Sequence, residues 1–173
     1  MADSESSLTA ERETVIRWRD PREGRAVMPT LDGIEFLRRM VAGDLPNPPM
    51  AGHVNMDLVD VEHGTVTFRG QPDESHYNPI GVVHGGFVGT VLDSALECAA
   101  HSTLPAGTGY TSIEIKTNYL RPVSADSGPL TCTGRVVKPG RRVIFAEGEV
   151  VDKGGETVAT ASGSLLVFPL ETT

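Results

Sequence analysis

Asp93 stands inside an otherwise apolar run, GGFVGTVLDSALECAAH (residues 85–101), between Leu92 and Ser94. A carboxylate in such a place is costly to bury unless it is paired, hydrogen-bonded or used as a base or nucleophile. Two readings stand on spacing alone: Asp93 acts on a substrate, or Asp93 and Glu97, four residues apart, share one solvated helix stripe. His84-Gly85-Gly86 opens the same run. The first four N–H groups of a helix lack internal partners, and two glycines let a ligand atom reach the backbone, so this start can receive a polarised carbonyl oxygen. The plain alternative is a tight turn, with His84 bonded to nearby backbone. A third cluster, Lys138-Pro139-Gly140-Arg141-Arg142, puts three cations in five residues around a Pro-Gly turn. It suits phosphate groups, or simple solvation at a hairpin tip.

These residues need elements to hold them. Phe87, Val88, Val91, Leu92, Ala95, Leu96, Ala99 and Ala100 recur in pairs every four residues, a stripe wide enough to bury a helix on most of its circumference. Around it the pattern changes to period two. Residues 53–61 and 64–70 read as a hairpin, and 110–120, 130–138, 142–152 and 156–168 as four further strands with short, Gly- and Pro-bearing connections. In the first of these four, Ile113, Ile115, Thr117 and Tyr119 share a face opposite Glu114, Lys116 and Asn118. One long helix against one antiparallel sheet is an α+β layer, the helix wrapped by the sheet.

Residues 1–50 read differently, as an N-terminal helical extension ahead of a domain at 51–173. Residues 9–19 are polar and suited to a helix, and 20–29 a Pro/Gly link. Leu31, Ile34, Leu37, Met40 and Val41 form a short amphipathic helix, with Thr30 as N-cap and Gly43 past its end. The prolines of LPNPPM (45–50) predict a stiff extended connector. Trp18 is expected to anchor the extension on the core. His53, His63, His76 and His101 fall singly at loops or element ends and read as surface histidines.

Composition narrows the function. Among 173 residues, 15 Lys and Arg against 23 Asp and Glu leave a net charge of −8, which disfavours nucleic acid as a partner. Cys98 and Cys132 lack CxxC spacing, and neither a metal motif nor a GxSxG elbow occurs, so buried thiols and no metal are expected. An acidic start, MADSESS, and no long apolar run point to the cytosol and to no membrane.

Asn78, Gly81, His84, Gly85, Gly86 and Asp93, followed by Ser112 and the strand end Tyr119-Leu120-Arg121-Pro122, resemble the hotdog-fold acyl-CoA thioesterases of the phenylacetate-pathway (PaaI-like) type. The resemblance spans about residues 50–168. It implies a hotdog fold and hydrolysis of an acyl-CoA thioester, with coenzyme A as part of the substrate and no further cofactor. Asp93 matches the family's catalytic carboxylate, as base or nucleophile, and Gly85 the glycine whose N–H polarises the carbonyl. Asn78 and His84 match the pair that shapes the loop and carbonyl site. Ser112, with Thr111 beside it, matches the hydroxyl that helps place water. Tyr119, Arg121, Lys138, Arg141 and Arg142 become candidates for the coenzyme A end.

Spacing adds one constraint. Eight residues along a helix separate Gly85 from Asp93 by about 12 Å at 1.5 Å per residue, too far for both to serve one carbonyl. Antiparallel helices in a two-fold dimer would bring Gly85 of one copy to Asp93 of the other. A homodimer is expected, and the family's habit adds a dimer-of-dimers tetramer. Two alternatives remain: a hydratase or dehydratase of acyl thioesters on the same fold, and a non-catalytic acyl-CoA-binding module.

Overall fold

The computed structural model describes residues 10–170. Its helices are α1 (Arg22–Val27), α2 (Gly33–Val41), α3 (Pro49–His53) and α4 (Gly85–His101). Its strands are β1 (Met56–Glu62), β2 (Thr65–Gly70), β3 (Thr108–Tyr119), β4 (Leu130–Lys138), β5 (Val143–Val151) and β6 (Thr157–Pro169). The strands form one antiparallel sheet in the order β1-β2-β4-β5-β6-β3. The sheet curls around α4, whose Val91, Leu92, Ala95 and Ala99 are fully buried. This is the α+β layer expected from the periodicities, and the hotdog arrangement that the family resemblance implies. Close approach of helix and sheet requires Gly134 on β4, where a Cβ would stand 2.3 Å from the carbonyl oxygen of Ala95.

β3 carries a feature that simple alternation does not disclose. Its pairing with β6 shifts register between Ser112 and Glu114. One extra residue flips the parity of the side chains that follow. Tyr110 and Ser112 before the bulge and Tyr119 beyond it therefore all reach α4, at His101, Glu97 and Gly85. β3 is also an edge of the sheet, and Ile113 and Tyr119 are each 56% exposed.

The amino-terminal segment differs from expectation in several places. Residues 10–20 form no helix, whereas Arg22–Val27 do; Thr9 lies outside the described residues. The N-cap of α2 is Asp32 rather than Thr30, whose hydroxyl donates instead to the Val27 carbonyl. The Pro-rich connector is not extended throughout, because Pro49 opens α3 at a first-turn position, where its missing N–H costs no helix bond. Trp18 stays 58% exposed, stacked on His53 of α3 rather than set into the core.

α2 docks tightly on the end of α4. Leu37 is 1% exposed and belongs to the same core as the α4 stripe. Gly33 donates to the Leu104 carbonyl, and Asp32 accepts from the Ala106 N–H. A Cβ on Gly33 would lie 1.8 Å from the His101 carbonyl oxygen, so only glycine fits there. No helix among the described residues is long and apolar enough to cross a membrane.

Candidate active site

The turn before α4 is built by Asn78. Its Oδ1 accepts from the N–H groups of Ile80 and Val82, and its carbonyl from Gly81, whose φ of +80° suits glycine. The loop so held delivers His84 to the N-cap of α4, where Nδ1 accepts the Gly86 N–H at 2.8 Å. His84 donates its own N–H to the His76 carbonyl, and Phe87 donates to the His84 carbonyl. The Gly85 N–H is left without an acceptor among the described residues. His84 is thus bonded to nearby backbone, as the plain reading of the HGG segment has it, and the Gly85 amide beside that bond is left free.

Tyr119 closes over this amide. Its hydroxyl donates to the Gly85 carbonyl at 2.9 Å, and its ring lies where a Gly85 Cβ would approach to 3.0 Å. Gly85, Tyr119, Leu120 and Arg121 line one cleft of about 390 Å³. The Arg121 guanidinium is engaged there by Glu156 at 2.6 Å and by the Thr157 carbonyl. Tyr119 and Arg121 thus both line the cleft beside Gly85 and have polar partners within the chain.

Two turns along α4 lies Asp93, half-buried beneath β3. Burial raises its pKa above the ordinary 3.8, opposed by a hydrogen bond from the Ser112 hydroxyl. Ser112, rather than exposed Thr111, is the hydroxyl residue that faces the helix. Its N–H also donates to Glu97 Oε1 at 3.3 Å. Glu97 is raised as well, first by burial and then by the neighbouring Asp93 charge. Both carboxylates are half-buried under the sheet edge on the side of Ser112, not set on a fully exposed stripe. Spacing alone could not distinguish Glu97 from a surface residue, because the covering strand is remote in sequence.

His101, expected at the surface, is 2% exposed between Phe36 and Tyr110. The exposed Lys138, Arg141 and Arg142 lie on the β4–β5 turn. That turn belongs to the end of the sheet near the C-terminus of α4, where Val136 and Thr103 flank Gly64. Within one chain it stands at the opposite end of α4 from Gly85. The structure thus groups Asn78, His84, Gly85 and Tyr119 at one place, and Asp93, Ser112 and Glu97 at another. It keeps the basic turn apart from Gly85. Among the described residues, no group of three or more His, Cys, Asp or Glu is placed to hold a metal ion.

Residues 80–159, which include Gly85, Asp93 and Ser112, match the model of the Thioesterase superfamily. A Saccharolobus solfataricus protein named "Putative esterase SSO2140" is 31% identical over 115 residues, covering 66% of this chain and 80% of that protein. The chain belongs to the thioesterase superfamily. This superfamily member is also similar to human acyl-coenzyme A thioesterase 13, 27% identical over 103 residues, or 59% of this chain and 72% of that one. A phenylacetic acid degradation-related protein of Ralstonia eutropha has a solved structure that superposes with a TM-score of 0.69 at 29% identity. It covers 75% of this chain and 98% of that one. Thioester hydrolysis is the chemistry that the superfamily match supports.

Proposed function

We propose that this chain hydrolyses an acyl-CoA thioester in sites shared between two copies. The observation that carries the reading is that one helix, α4, presents both a half-buried carboxylate, Asp93, beneath β3 and one unclaimed helix-start amide, Gly85. Asp93 takes a proton from water, and the resulting hydroxide attacks the thioester carbon. Negative charge builds on the carbonyl oxygen as it accepts from the Gly85 N–H. Collapse of the tetrahedral intermediate breaks the C–S bond. The departing thiolate takes the proton from Asp93, giving free acid and coenzyme A. A thioester carbonyl is electrophilic enough that this chemistry asks for neither metal nor redox cofactor.

The separation of about 12 Å along α4 supports drawing Gly85 and Asp93 of one site from different copies. The open β3 edge supports such a pairing, since a 12-residue exposed strand with apolar side chains is a template for another chain. A two-fold pair of this kind can carry the Lys138, Arg141 and Arg142 turn of one copy toward the Gly85 cleft of the other, where it would meet the coenzyme A phosphates. Pairs of dimers extend the proposal to a tetramer. His84 supports hydrolysis over hydration, because its Nδ1 is spent on capping Gly86.

The test is thiol release from short, medium and aryl acyl-CoA substrates, run beside water addition to an enoyl-CoA. Thiol release with no hydration is expected. Tight acyl-CoA binding without thiol release would make the protein a binding module, and hydration would make it a hydratase.

A further inference from the structure

The loop that shapes the start of α4 leaves and returns at one point. Tyr77 and Val83 pair as an isolated bridge, and just outside them the His84 N–H donates to the His76 carbonyl at 2.8 Å. His76 ends a short 3-10 turn, Glu74–His76, and its isolated place in the sequence suggests a surface histidine. Its side chain is instead only 12% exposed. Nδ1 accepts the Asp73 N–H at 3.0 Å, and the ring meets the Phe87 ring edge-on, with centroids 4.6 Å apart. Phe87 is the third residue of α4 and is 4% exposed, so it offers a fixed wall.

These contacts form a closed circuit. His84 donates to the His76 carbonyl, Phe87 donates to the His84 carbonyl at 3.0 Å, and the Phe87 ring returns to the His76 ring. Both backbone groups of His84 are thereby fixed by residues that also touch each other. With that backbone fixed, the His84 imidazole reaches the Gly86 N–H at 2.8 Å and leaves the Gly85 N–H as the unclaimed donor.

We propose that His76 is a positioning residue for thioester hydrolysis: its ring, wedged between its own turn and Phe87, holds His84 and the helix-start amides in the geometry that receives the carbonyl oxygen. The proposal rests on the thioesterase reading of Gly85. His76 acts through His84 and Phe87 rather than on the substrate. Any substitution keeps a carbonyl at position 76, so variants separate the two uses of the side chain. His76→Phe keeps a ring against Phe87 and loses the bond from Asp73. His76→Asn keeps a short-range acceptor for the Asp73 N–H and loses the ring, and His76→Ala loses both.

The full-length protein and the three variants are assayed for thiol release from acetyl-, octanoyl- and benzoyl-CoA, with melting curves and proton–nitrogen correlation spectra of each. His76→Ala and His76→Asn are expected to lower kcat by about 10- to 100-fold with KM within about twofold, because a misplacement of about 1 Å is felt mainly in the transition state. His76→Phe should return kcat to within about threefold of wild type. The Gly86 amide resonance, which reports the bond to His84 Nδ1, should move in the Ala and Asn variants and return in the Phe variant. Equal turnover of the Phe and Asn variants, or rescue by Asn alone, would overturn the proposal, and this comparison stands even where His76→Ala does not fold. No thiol release by wild type from any of the three substrates would remove the thioesterase reading, while the Gly86 resonance would still judge the circuit. Brisk thiol release with that resonance unmoved in His76→Asn would leave the enzyme and remove His76 from it.

Discussion

The Gly85 amide can be removed with little else disturbed. Proline at the first helical position is compatible with α4, because no internal bond uses that N–H, and His84 already has the extended backbone (φ −61°, ψ 136°) that proline demands of its predecessor. The added ring meets the edge of Tyr119, which is 56% exposed and free to yield. Gly85→Ala adds the same Cβ, 3.0 Å from Tyr119, but keeps the N–H, and so sets the baseline. Because His84 already claims the Gly86 amide, Gly85→Pro removes the one unclaimed donor at this helix start. Loss of a single oxyanion donor lowers kcat by about 10²–10³, or roughly 2.7–4 kcal/mol of transition-state stabilisation. Stopped-time thiol release at saturating substrate, with melting curves for both variants, reads this directly. A proline variant that folds and turns over within about threefold of the alanine variant would refute the assignment of Gly85 to the carbonyl, given the 10²–10³ expected.

Asp93→Asn should lower kcat by about 10²–10⁴, the usual worth of a general base. The same change should not destabilise the protein at neutral pH. Because the folded-state pKa of Asp93 is raised, its contribution to stability is fully present below the unfolded value and is lost as pH rises through the folded one. A melting temperature at pH 7 equal to or above wild type is expected, and a clear fall would show that the charged form is held favourably. Mixing Asp93→Asn with Gly85→Pro chains should restore about a quarter of wild-type turnover at equal amounts, since half of random dimers carry one intact composite site. Absence of recovery after subunit exchange would mean that both groups act within one chain. Gly33→Ala forces α2 off the His101 carbonyl and exposes Leu37. A loss of about 2 kcal/mol and a melting temperature lower by roughly 4–8 °C are expected; an unchanged transition would contradict this docking of α2.

Much of the fold is readable from local pattern. The period-two runs place β4 at its observed bounds and β3, β5 and β6 within two residues, because alternation of apolar and polar side chains is a property of each strand alone. The double apolar stripe of residues 85–101 identifies α4 for the same reason. Proline misleads at Pro49, where a helix-breaking residue begins a helix, since its effect depends on position within the turn.

The chemistry divides along the same line. Residue types and their order along the chain were enough to single out Asp93 and the glycines that open α4, because a carboxylate among apolar neighbours and an amide at a helix start are exceptional wherever the chain goes next, whereas Ser112 was indicated only by the family resemblance. Glu97 and His101 acquire meaning only when Ser112 and the 33–37 segment, distant in sequence, are laid over them. Periodicity tells which side of an element is covered but not by what, and a bulge of one residue in β3 chooses which side chains meet the helix. Burial, the cause of the raised carboxylates and of the neutral buried imidazole, is conferred by those remote partners, so it enters with the assembled fold.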